Sequence, residues 1–242
     1  MASSDIFPAV DGQVMHDPLA RSSAVACSES DAAIQLLLQP PRLWRAAEIL
    51  ARPSPVPKLP GVYAWYFDQV PPRVPTEQCH RVLAGLMLLY VGIAPKEPRT
   101  AGAKASTRTL RHRLRDHLSG NAEGSTLRLT LGCLLADSLG IQLRRVGSGT
   151  RHTFTNPGEI VLDEWLAAHA YIAFAAVERP WEVEARLLAT LSLPLNLAGN
   201  GTHSFAAELG QVRAVAKGEA AMLPVVTDSG GPRRASIEAA LR

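Results

Sequence analysis

Two short apolar runs constrain this chain more than any other feature. Gly61 to Phe67 (GVYAWYF) and Met87 to Ile93 (MLLYVGI) are rich in β-branched and aromatic residues and too short to be buried helices. Both read as strands, and each sets a tyrosine two positions from a glycine: Tyr63 after Gly61, Tyr90 before Gly92. A third run, Ala170 to Val177 (AYIAFAAV), is apolar almost throughout and reads as a buried strand. Between the first two, Asp68 to Pro75 is a proline-rich loop, and Thr76 to Ala84 reads as a short helix capped by Thr76.

The remaining pattern is helical. Asp31 to Gln39 and Arg42 to Ala51 read as helices split by Pro40-Pro41, and four prolines between Arg52 and Pro60 read as a stiff linker. Leu110, Leu114 and Leu118 recur at helical spacing up to Gly120, while Ser125 or Thr126 caps a helix running to about Leu139. Gly147 to Pro157 is a loop or hairpin, followed by helices over Glu159 to His169, Pro180 to about Leu193, and Phe205 to Lys217. The expected organisation is an N-terminal extension with linker over 1–58, a core domain over 59–217, and a flexible tail over 218–242.

At 242 residues, with 47% hydrophobic and 19% charged side chains, the chain has the material for one folded core. It holds no apolar stretch near the ~18–20 residues of a membrane helix and no basic-then-apolar leader, so a cytoplasmic protein without membrane contact is expected. Cys27, Cys79 and Cys133 form no CxxC pair and read as free thiols. The net charge of +3 is small, but its distribution is uneven. From Lys96 to Arg151 there are eleven Lys and Arg, among them Arg111, Arg115 and Arg128, against four acids. A basic middle on an otherwise acidic chain is what phosphate contacts require, although a merely solvated basic face has the same composition.

One residue breaks the helical pattern after Pro180. Trp181, Val183, Leu187, Leu188 and Leu191 form an apolar stripe, and Glu184 falls in its middle. An inward carboxylate needs a metal, a proton or a buried arginine partner. On the helix over 108–118, Arg113 and His117 are one turn apart and flank the leucine stripe, which sets both at its rim. A guanidinium can grip a phosphate oxygen bidentately, a carboxylate can hold Mg²⁺ (or Mn²⁺) that keeps most of its waters, and tyrosine hydroxyls can accept a proton or position water. Together they make a phosphodiesterase kit.

These residues resemble those of the GIY-YIG nuclease family. Gly61-Val62-Tyr63 and Tyr90-Val91-Gly92 look like its paired signature, Arg113 and His117 like its helix pair, Glu182-Val183-Glu184-Ala185 like the metal-ligand segment of the UvrC-like nuclease module, and Asn196 like its downstream Asn. The likeness spans about residues 59 to 200. It implies an α+β fold, a small and mainly antiparallel sheet with three central strands sandwiched by helices. It also implies a metal-dependent DNA endonuclease acting on duplex or branched DNA. Tyr63, Tyr90, Arg113, His117, Glu184 and Asn196 would be the catalytic set, with Glu184 as metal ligand; Lys96, Arg111, Arg115 and Arg128 of the basic segment are the expected DNA contacts. Ile93-Ala94-Pro95 stand before Lys96, where many members place a lysine sooner. That departure keeps a second reading open, a nucleic-acid-binding module of weak catalysis on the same scaffold.

Overall fold

A computed structural model of the chain describes residues 29–82, 85–98, 100 and 106–227. Helix α1 (residues 29–38) and the short α2 (Ala46–Leu50) precede β1 (Gly61–Phe67), β2 (Arg81–Val82) and β3 (Leu86–Ala94). Helices α3 (Leu110–Ser119), α4 (Thr126–Leu134) and α5 (Ala136–Leu139) lead to a hairpin of β4 (Arg144–Val146) and β5 (Arg151–Thr153). Then come α6 (Thr155–His169), β6 (Ala170–Ala176), α7 (Pro180–Thr190) and α8 (Ala206–Met222).

The main sheet has the order β2-β3-β1-β6, and β1 pairs antiparallel with both β3 and β6. Because β1 is central and buried along its whole length, its alternate residues serve two separate cores. Tyr63, Trp65 and Phe67 pack with Leu110, Leu114 and Leu118 of α3 and with α2, α4 and α6. Val62, Ala64 and Tyr66 pack with Val183 and Leu187 of α7 and with Ala33 and Leu37 of α1. The fold is therefore α+β with helices on both sheet faces, as the resemblance implies, and the three expected strands gain a short fourth at the edge.

Four expectations are corrected. Thr76 to Ala84 forms no helix among its described residues: Leu88 N–H donates to His80 O, so the chain turns at Gly85 (φ +110°) into a β2–β3 hairpin. The helix expected from Arg42 begins only at Ala46, because Trp44 exchanges both backbone hydrogen bonds with Ile172 of β6 and stays extended. The proline-rich stretch expected as a stiff linker packs against the core. Val56 is fully buried, Arg111 clasps the carbonyls of Val56 and Ser54, and Ile49 joins the same core, so the folded unit includes residues before 59. The last helix runs past Lys217 to Met222, where Arg145 holds the carbonyls of Ala220 and Leu223; residues 228–242 lie outside the described part.

Candidate active site

The two motif glycines are demanded by close packing. In the β1–β3 register Tyr63 faces Gly92, and a Cβ on Gly92 would lie 2.4 Å from the Tyr63 hydroxyl oxygen. The missing side chain lets the phenol lie across β3 towards its outer edge. A Cβ on Gly61 would meet Ala175 O at 2.3 Å and Leu110 Cδ1 at 2.5 Å, so any other residue would force β6 and α3 off β1. Tyr90 pairs with Trp65, one step along the same face, which places the two phenols diagonally on neighbouring strands.

Beyond Leu86 and Met87, β2 no longer pairs with β3; Leu195 and Asn196 take up that edge at Leu89 and Val91, and beside them lies a cleft of about 1190 Å³. Tyr63, Tyr90 and Arg113 line it from the face covered by α3. Glu184 lines it from α7, the helix on the opposite face, and Lys96 and Asn196 also border it. The α7 stripe behaves as its spacing predicts: Val183 and Leu187 are buried, and Glu184 sits half-buried between them. The nearby charges on the helix are engaged elsewhere, Glu182 with Arg179 and Arg186 with Asp31, so no arginine of α7 neutralises Glu184. Burial pushes its carboxyl up to about 7, against the pull of the Lys96 ammonium.

Burial also pushes the Tyr63 phenol well above the ordinary tyrosine range, with the neighbouring Tyr90 adding to the shift and the adjacent Arg113 guanidinium opposing it. Tyr90 is raised for the same first reason and opposed by the same arginine. Arg113 is anchored by Nη1 donating to Gly124 O at 2.8 Å and also reaches the Tyr63 hydroxyl, and a guanidinium with five N–H donors keeps others for a ligand. Among the described residues no three His, Cys, Asp or Glu side chains gather as a metal cluster; Glu97 and Glu123 also line the cleft, and Glu184 is the carboxylate whose charge acts on both phenols.

A family model for the GIY-YIG catalytic domain matches residues 61–215. The chain belongs to the GIY-YIG family. That is a nuclease family; the match runs from the first glycine of β1 into α8, and residues of α1 and α2, outside the match, pack onto the matched part. Neither curated proteins nor solved structures gave a match.

Two members of the expected catalytic set have supporting tasks: His117 stands behind the GIY-YIG cleft, and Asn196 borders it with its amide engaged by the backbone. His117 is not at a rim: it is fully buried beneath Tyr63, with Nε2 2.8 Å from the Tyr63 hydroxyl and Nδ1 2.6 Å from Ser125 Oγ. Burial, reinforced by Arg113, Arg128 and Arg108, holds its pKa well below the ordinary range, so the ring is neutral. Asn196 uses both ends of its amide on one residue, accepting from Val91 N–H at 3.0 Å and donating to Val91 O at 2.9 Å. It takes the place of a missing strand along the β3 edge, which is a positioning task.

The basic segment is also corrected. Arg128 does not face solvent: it is fully buried, paired with Glu159 and Asp163 at 2.6 Å each, and donates to His117 O. Arg111 is spent on the 54–56 segment, and Arg144 and Arg145 on the end of α8 and the residues after it. Arg115 borders a shallow depression next to the cleft, joined to it through Arg108, which pairs with Asp116. Two cleft residues have no local signal in the sequence. Thr126 lies beside Tyr90, and Arg213 of α8 arrives from far along the chain.

Proposed function

We propose that this GIY-YIG domain is a divalent-metal-dependent DNA endonuclease whose reacting groups are Tyr63, Tyr90, Arg113 and Glu184. The observation that carries the reading is the convergence of two phenols, a guanidinium and an unneutralised carboxylate in one cleft, the carboxylate arriving from the far side of the sheet. The cleft exceeds the ~300–1,000 Å³ of ordinary small-ligand pockets, which suits a polymer better than a metabolite.

Glu184 suits a hard cation, since Mg²⁺ takes one or two carboxylates together with waters and phosphate oxygens, and a carboxyl raised by burial gains from a nearby positive charge. Glu184 would hold such a cation, which would supply positive charge where negative charge develops on the phosphate. Arg113, fixed by Gly124 O, grips a non-bridging oxygen and orients the phosphate. The Tyr63 and Tyr90 hydroxyls, kept protonated by burial, orient the attacking water beside the Arg113 guanidinium, and the water's proton leaves to solvent along the cleft. His117 and Asn196 hold the two tyrosine-bearing strands in place.

The test of this reading is cleavage of end-labelled DNA by the full chain in Mg²⁺ or Mn²⁺, with a chelated reaction as blank. Binding has its own signature. Lys96, Arg108, Arg113 and Arg213 border the cleft and Arg115 the adjoining depression, so affinity should fall with salt, and the double variant Lys96→Ala with Arg115→Ala should flatten the log–log salt slope by roughly 2. An unchanged slope would place the DNA elsewhere on the molecule.

A further inference from the structure

We propose that Ser125 is a positioning residue of this site: its hydroxyl fixes which nitrogen of His117 carries the proton, and so makes the imidazole a donor to the Tyr63 oxygen. The nuclease reading is needed only for what the positioned phenol does, not for the tautomer itself.

Ser125 is fully buried and caps α4, its Oγ accepting the Arg128 N–H at 3.2 Å. A hydroxyl that accepts there still has a hydrogen to place. Among the described residues the acceptor within its reach is His117 Nδ1, at 2.6 Å. Donation to Nδ1 leaves the neutral ring protonated on Nε2, the atom 2.8 Å from the Tyr63 hydroxyl. The opposite tautomer would leave the Ser125 hydrogen without an acceptor in a site closed to water, an arrangement folded proteins avoid. The cap thus transmits a choice from the end of α4 to the base of the cleft. With Nε2–H pointing at its oxygen, Tyr63 directs its own proton away from the ring, towards the side lined by Tyr90 and Arg113. Glu159 and Asp163 hold Arg128, whose backbone supplies the capped N–H, so the buried ion pair keeps Ser125 in register.

Long-range ¹H–¹⁵N spectra of the full chain labelled with ¹⁵N-histidine test this directly, H117Q identifying the signal among the seven histidines. The expected pattern at pH 7 is a bare Nδ1 and a protonated Nε2. A protonated Nδ1 overturns the proposal whether or not the protein cleaves DNA. Ser125→Asp provides the kinetic arm: a carboxylate still caps α4 but can only accept from His117, so the proton moves to Nδ1. With the fold intact, kcat should fall tenfold or more with KM little changed. A folded S125D with the swapped tautomer and undiminished kcat overturns the role, and if S125D does not fold, the spectrum of the unmodified chain decides. Absence of cleavage by the unmodified chain would sink the nuclease reading alone.

Discussion

Glu184→Gln is expected to lower cleavage by a factor on the order of 10² or more while making the protein more stable at pH 8. The two effects share one cause. In the folded chain burial raises the Glu184 carboxyl to about 7 from its usual 4.5, so between those values the native state holds a proton the unfolded state has released. The contribution of this group to stability therefore falls as pH rises from about 4.5 and is lowest above about 7. Glutamine carries no charge and escapes the penalty. Its gain should be absent near pH 4.5 and reach about 1–2 kcal/mol at pH 8, a figure reduced for the solvent that screens a half-buried group. A cation held by Glu184 makes a further distinction: Mg²⁺ should raise the Tm of the unmodified chain and leave that of E184Q where it was. A variant that melts lower at every pH and still cleaves would make Glu184 a structural partner instead.

Arg128→Met should cost about 3–5 kcal/mol, a fall in Tm of roughly 6–20 °C for a chain of this size, with DNA affinity per folded molecule unchanged. Arg128 is the hub between α4 and α6: its guanidinium pairs with Glu159 and Asp163, while Glu159 Oε1 also accepts from the backbone N–H groups of Ala122 and Phe154. Removing the cation leaves two carboxylates, one fully buried and one nearly so, facing each other without it. Paired measurements of melting and of binding at low temperature separate this from a phosphate contact, which would weaken binding and spare the fold.

Arg128 also shows where reading the chain alone stopped. Its neighbours Leu127, Leu129 and Leu131 are apolar on every side of the helix, and a helix buried all round must bury its arginine. Composition counts cations without showing their acceptors, and carbonyls, which claim Arg111, Arg144 and Arg145, carry no charge to count. Glu184 was legible for the complementary reason: a single carboxylate in an apolar stripe contradicts its own helix, and the contradiction survives folding as a raised pKa. The strands bearing Tyr63 and Tyr90 were legible because β-branched and aromatic runs flanked by glycine have few other fates. By contrast, residues 76–82 carry too little periodicity to distinguish a short helix from an edge strand, and their pairing with β3 decides it. The links from His117 to Ser125 and from Asn196 to Val91 depend on tertiary approach and have no signature in spacing.

The central claim is hydrolysis in this cleft, and a time course of product formation tests it most directly. The full chain and E184Q would each be incubated with end-labelled linear, nicked, branched and single-stranded DNA in Mg²⁺, in Mn²⁺ and in chelator. Strand cleavage of at least one duplex or branched form by the unmodified chain, dependent on the divalent ion and lost in E184Q, is the predicted result. DNA bound in the salt-sensitive manner described above, yet left intact in every form and with either ion, would contradict it and make the domain a nucleic-acid-binding module.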